Sequence, residues 1–341
     1  MPENTLSWPK IGNEKAVEFL SRVVSGGQVA QTYIFIGPDD LGKSTIALAF
    51  AKNLMAEALG DQEGINTDLH ILKREEGKKS ISIDQVRELI KELSLGSFLD
   101  SYKIGIIKEA DTLTPDAQNA LLKTLEEPRD KVVIILLAES EESLLPTILS
   151  RAQKLYFQAV PSEVIYNYLI EEYGAQRSLA KDLANISLGR PLKAVRFLES
   201  NDAYEAYLEK ARICLPFLSL TVNARLKALD KMFNDRSYSA AAIAGAEEII
   251  DLLESLWRDL LLLSLNQPEK IQHSALKPEL DLALKSIEHL NHLYLLERFK
   301  MTAQAREYLA ASVNPRIVLE QLAINLWLKI WQLSQTWSSR Y

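Results

Sequence analysis

The run TYIFIGPDDLGKSTIALAFA, residues 32–51, constrains the fold more than any other part of the chain. It reads as a buried strand, a glycine-bounded turn with the spacing G-x-x-x-x-G-K-S, and a helix that opens at Lys43. Gly37 and Gly42 turn the chain so that backbone N–H groups and a helix N-terminus face an anion, and Lys43 adds a point charge. Ser44, with Thr45 beside it, stands where a magnesium-ligating hydroxyl is wanted. Strand, spacing and helix together favour a phosphate cradle over a chance turn with a surface lysine.

The surroundings suit a parallel sheet. Short apolar runs rich in β-formers recur at 68–72, 103–108, 132–138 and 153–157, after the one at 32–36. Between them STIALAFAKNLMAEAL, IDQVRELIKELSL and PDAQNALLKTLEE have helical spacing, so five strands with helices on both faces are expected. Ser82 and Gln85 have capping-box spacing, and Thr114 precedes a proline in the first turn of its helix. In the latter helix Ala117, Ala120, Leu121 and Leu125 face the core, and Pro128 stops it. From Pro161 onward the pattern is wholly helical, broken at LGRPL, 188–192. Further on Ile249, Ile250, Leu253, Leu256, Trp257, Leu260 and Leu261 form one broad apolar stripe, without any 20–50-residue repeat. Three domains are expected: a sheet domain over 1–160, a small helical lid over 161–203 and a helical domain over 204–341.

A cradle alone does not hydrolyse a nucleotide. A second strand should end in carboxylates, one for the magnesium shell and one to polarise water. The strand KIGIIKEAD, 103–111, ends instead in Lys108–Glu109, with Asp111 nearby. A cation at the first position repels magnesium, and a shift of one residue redirects a side chain to the other face. A solvated strand end is as good an account of Glu109 as a catalytic one.

Several stretches carry a resemblance. IGNEKAVEFLSRVV through the cradle helix, then IDQVREL, EADTLTPDAQNALLKTLEEP and LLPTILSRAQKLYF resemble the bacterial clamp-loader subunits of DNA polymerase III. The likeness covers nearly all of residues 9–160 in order, and LWRDLLLL and NPRIVLEQLAINLW (314–327) resemble the collar of the same family. The resemblance implies an AAA+ P-loop domain with a lid, and an all-helical collar that joins subunits in a hetero-pentameric ring. It implies as partners the gamma/tau and delta types of subunit, the sliding clamp, and primer-template DNA through the assembly. As cofactor it implies ATP or ADP with Mg2+, held at Gly37, Gly42, Lys43, Ser44 and Thr45.

The departures from the family pattern point to the delta-prime type. The motor subunits carry an acidic pair where Lys108–Glu109 stands. They also carry a lid arginine where GRPLKA places Leu192, with Arg190 and Lys193 out of register. The four-cysteine zinc module is missing from 55–70, so no zinc is expected. TILSRA keeps the arginine-finger position at Arg151, followed by Ala152, and a finger acts on a neighbour's nucleotide. Glu139–Ser140 fall where the family senses the γ-phosphate, and Glu139 would repel it. The reading is therefore a largely non-hydrolysing stator that offers Arg151 in trans. Two alternatives remain open: an active gamma/tau-like motor whose missing acid is Glu109 or Asp111, and a P-loop kinase of a small molecule. A kinase would have a substrate insertion and no collar.

Bulk properties narrow the partners. A net charge of −7 confines any contact with nucleic acid to a local patch. Lys73, Arg74, Lys78 and Lys79 form one basic cluster, whose default is a solvated loop. The start, MPENTLSWPK, lacks a signal pattern, and the longest leucine run, 260–265, is too short to span a bilayer, so a cytoplasmic protein with no membrane contact is expected. The single cysteine, Cys214, excludes an intrachain disulfide and a multi-cysteine metal site. His289 and His292 beside Glu288 make a weak two-ligand pair for which packing is the better account, so no metal site is expected. Nothing resembles a polymerase's metal–carboxylate site.

Overall fold

The computed structural model describes residues 6–59, 68–75, 77–95, 102–126, 130–218, 221–235, 237–286 and 292–325. The chain packs as two units, one formed by Met1–Gly174 with Gly189–Val195, the other by Ala175–Leu188 with Arg196–Tyr341.

The first unit holds β1 (Thr32–Ile36), β2 (Leu69–Leu72), β3 (Lys103–Ile107), β4 (Val132–Ala138) and β5 (Gln153–Tyr156) in one sheet. All pairings are parallel, in the order β2-β3-β4-β1-β5. Every residue of β1, β3 and β4 is buried, as a sheet covered on both faces requires. Alternation sends Tyr33, Phe35, Val133, Ile135 and Leu137 to one face and Ile34, Ile36, Ile134, Leu136 and Ala138 to the other. The first face packs on α1 (Glu14–Gly26) and α2 (Lys43–Leu59) through Leu20, Ile46, Phe50 and Met55. The second packs on α3 (Ile83–Ser94), α4 (Pro115–Glu126) and the single turn α5 (Pro146–Leu149) through Val86, Leu89, Leu121 and Ile148. This is the five-stranded parallel sheet with helices on both faces expected from the sequence.

Local signals act as read. Ser82 and Gln85 form a reciprocal capping box on α3, and the Thr114 hydroxyl accepts the Ala117 N–H at 3.2 Å. Ala117, Leu121 and Leu125 are buried and Ala120 is partly so. Pro128 lies outside the described residues.

Two features of the topology make the site. The connection leaving β1 runs toward β2 over one face, whereas that leaving β4 runs toward β5 over the other. Adjacent strands whose connections part in this way open a crevice at their carboxyl ends, where ligands of such sheets bind. The first unit also contains α6 (Ser162–Tyr173) and the start of α8 (Pro191–Glu199).

The second unit is helical: α7 (Arg177–Ile186), α9 (Asn201–Cys214), α10 (Val222–Met232), α11 (Ala240–Ser264), α12 (Lys277–Ser286) and α13 (His292–Ala310). Residues 315–325 are helical too. The stripe on α11 is buried from Ile249 to Leu260, with Leu261 half-buried at its end. Asp259 is also buried inside it, fully. It accepts the N–H groups of Gln272 and His273 at 2.7 and 2.8 Å and pairs with His273 Nδ1 at 2.8 Å. The far nitrogen of His273 meets the Tyr207 hydroxyl on α9 at 3.0 Å, and the Gln272 amide donates to the Ile186 carbonyl at the end of α7. Among the described residues no helix is long and apolar enough to cross a membrane.

Candidate functional site

The cradle joins β1 to α2 at the β1/β4 crevice. Gly37 has a φ of 148°, and a Cβ there would lie 2.5 Å from the Phe157 carbonyl oxygen, so both backbone angle and close approach require glycine. Gly42 takes a φ of 91° just before Lys43 opens the helix. The Gly37 N–H donates to the Ala138 carbonyl at 3.1 Å, which continues the β1–β4 pairing into the loop. Lys43 is buried at 7% exposure. Its ammonium donates to the Gly37 carbonyl, to the Pro38 carbonyl at 3.0 Å and to the Asp39 carboxylate at 3.4 Å. Ser44 is half-buried and Thr45 exposed at the first turn of α2. The five candidate residues are thus together, with helix N-terminus and lysine on one loop of the kind that suits an anion.

Carboxylates crowd this loop. Glu139, the first residue after β4, has its N–H bonded to the Asp111 carboxylate at 3.1 Å. Its own carboxyl feels the charge of Asp39, and Lys43 offsets part of it. Partial desolvation, then the Asp39 and Asp111 charges, hold the Glu139 carboxyl above the usual carboxylate range.

The end of β3 carries a lysine and an acid that pairs elsewhere. Lys108 is half-buried and its N–H donates to Leu72. Glu109 turns into the left-handed region at φ 54° and pairs with Arg74 at 2.7 Å. Arg74 also donates to the Lys78 carbonyl at 2.7 Å, so one member of the basic cluster is committed to an acid and a backbone group. Residues 189–192 reach the cradle by backbone: the Leu192 N–H donates to the Asp40 carbonyl at 3.1 Å. Gly189 allows it, since a Cβ there would stand 2.6 Å from that of Ala159 at a φ of 77°. An uncharged side chain, Leu192, therefore stands beside the loop.

Arg151 stands just beyond α5 and two residues before β5, at the amino end of the parallel sheet. Its guanidinium pairs with Glu126 at 3.1 Å and donates to the Thr147 carbonyl at 3.0 Å, with 38% of the side chain exposed. Gln118, buried at 5% exposure, fixes the preceding loop. Its amide donates to the Ser143 carbonyl at 2.9 Å and accepts the Leu145 N–H at 2.8 Å. Sequence reasoning missed Gln118. Its signal was a polar residue directly beside Ala117 on the core-facing side of α4. Among the described residues no group of three His, Cys, Asp or Glu side chains could hold a metal ion. Glu288 and His289 of the weak pair lie outside the described residues, as do 60–67 of the segment that lacks the zinc module.

Residues 12–161 match the family model described as DNA polymerase III, delta subunit. A DNA polymerase III subunit delta' of Bacillus subtilis is 24% identical over 94% of this chain and 98% of its own length. One from Haemophilus influenzae is 31% identical over 54% of this chain and 61% of its own. A DNA polymerase III subunit tau of Bacillus subtilis is 24% identical over 68% of this chain and 44% of its own.

Proposed function

As the chain is a member of the DNA polymerase III clamp-loader family, of the delta-prime type, we propose that it serves the ring as a stator rather than a motor. Its cradle takes ATP or ADP with Mg2+ at Gly37, Gly42, Lys43, Ser44 and Thr45, and hydrolyses it negligibly. The observation that supports this best is the end of β3. Lys108 stands where a magnesium-shell acid is needed, and Glu109 is turned away into its pair with Arg74. The apolar Leu192 at the lid position removes a second stabiliser of the transferring phosphoryl group. Losses of this kind cost on the order of 10²–10³ in rate each.

Arg151 is the group the chain contributes to catalysis, reaching the γ-phosphate of a neighbouring subunit's nucleotide. Its exposure and its surface pair with Glu126 suit this, because such pairs are worth only about 0–1 kcal/mol and exchange partners readily. Residues 161–203 act as the lid and 204–341 as the collar that joins the gamma/tau and delta types of subunit in a hetero-pentamer. That ring opens the sliding clamp on primer-template DNA in the cytoplasm.

The motor reading has the similarity to a tau subunit in its favour. ATP turnover by the purified lone chain, with and without clamp and primed DNA, separates the two. Negligible turnover is expected; a rate within tenfold of a motor subunit's would overturn the stator reading. Deleting residues 205–341 should abolish incorporation into the ring, and retained affinity would refute the collar assignment.

A further inference from the structure

The carboxylates around Lys43 have a consequence for which nucleotide the cradle accepts. On such a loop the lysine reaches the β- and γ-phosphates, while the backbone N–H groups hold those nearer the ribose. The terminal phosphate must therefore approach over Lys43, toward the carboxyl ends of β1 and β4. Glu139 follows β4 at that place. The bond from the Gly37 N–H to the Ala138 carbonyl sets Glu139 next to Gly37, and the Asp111 carboxylate fixes its backbone. From the loop side Asp39 contacts the Lys43 ammonium at 3.4 Å, and its charge acts on the Glu139 carboxyl. Asp39 from the loop and Glu139 from the end of β4 thus stand by one cation from α2, with Asp111 from the turn after β3 holding the Glu139 backbone.

We propose that Asp39 and Glu139 make the cradle discriminate against the terminal phosphate of a nucleoside triphosphate, so that it takes a nucleoside diphosphate in preference. This rests on the reading of residues 37–45 as a nucleotide site. A diphosphate is held by the helix N-terminus and the loop N–H groups and stops short of Glu139. A triphosphate brings its extra charge against two carboxylates that already share Lys43. Selectivity through a built-in repulsive element is an established route to specificity. The Glu139 carboxyl is held above the usual carboxylate range, so lowering the pH neutralises it, reduces the repulsion and narrows the preference.

The test is calorimetric titration of the full chain with Mg-ADP and Mg-ATP at about pH 8 and about pH 6, on the wild type, Glu139→Gln and Asp39→Asn. Expected is a preference for ADP of about tenfold at the higher pH, the equivalent of one pKa unit of differential interaction. Each substitution should bring the two affinities together by tightening ATP, and so should the lower pH in the wild type. Equal affinities in the wild type, a preference unmoved by either substitution, or no binding by any of the three proteins would overturn the proposal. Incorporation of the same preparations into the ring is read separately. A chain that joins the ring yet binds both nucleotides equally refutes the gate and leaves the clamp-loader role standing. A chain that shows the preference but does not join the ring does the reverse.

Discussion

Asp259→Ala tests how the helical unit is held together. The carboxylate is fully buried in the apolar stripe of α11 and accepts two backbone N–H groups and the His273 ring. Through His273 it reaches Tyr207 on α9, and through Gln272 the end of α7, so one side chain ties three helices and a turn. Alanine leaves three donors without an acceptor. Each orphaned buried donor costs about 1–3 kcal/mol, which sums to about 3–9 kcal/mol if no water enters. Removing one member of a buried pair costs about 3–5 kcal/mol, and the low end of the combined range is expected. That is a large share of the roughly 5–15 kcal/mol that holds a domain together. Urea unfolding gives the total, and hydrogen exchange of peptides over 255–276 localises it. Asp259→Asn, which keeps one acceptor oxygen, should lose less. A cost below about 1 kcal/mol for alanine, with the Gln272 and His273 amides still protected, would refute the reasoning.

Three groups on α9 set an alkaline limit. Burial pushes Tyr204 and Cys214 up to about 12, and pushes Tyr207 up further, from ordinary values of 10.0 for tyrosine and 9.0 for cysteine. Their neutral forms are favoured in the fold, so the stability they contribute is full below about pH 9 and is lost as pH rises through about 12. Urea midpoints should fall steeply over that window, and Tyr207→Phe should flatten the fall; a pH-independent midpoint would contradict it. Gly37→Ala should cost about 2–6 kcal/mol in urea unfolding, from about 1–3 of backbone strain and about 1–3 of overpacking against Phe157. A change within about 0.5 kcal/mol would show that the loop relaxes without penalty.

The fold was legible because its signals are local. Each strand is a short run of buried apolar residues, and the residues of α3 and α4 that cap and fill those helices lie within four positions of one another. The cradle was legible for the same reason: glycines, lysine and hydroxyls fall in nine consecutive residues. Groups that meet only through the sheet were not. Asp39, Asp111 and Glu139 are far apart in sequence, and nothing local says that the ends of β1, β3 and β4 bring them together. The turn of Glu109 toward Arg74 follows from one left-handed backbone angle at a non-glycine residue, which composition does not announce. Gln118 and the Asp259–His273–Tyr207 network look in the sequence like polar interruptions of apolar faces. They became interpretable once their partners were located.

The measurement closest to the central claim is clamp loading by a reconstituted ring that carries Arg151→Ala in this subunit alone. The variant should fold within about 1 kcal/mol of the wild type, since only an exposed pair and an exposed hydrogen bond are lost. It should also join the ring at normal affinity. A finger supplied in trans is worth roughly 10³–10⁵ at the site it serves, but only one site in the ring loses it. Total ATP turnover should therefore fall partially, and clamp loading by more. A ring with this subunit's Arg151 removed that loads clamps at the wild-type rate would contradict the account.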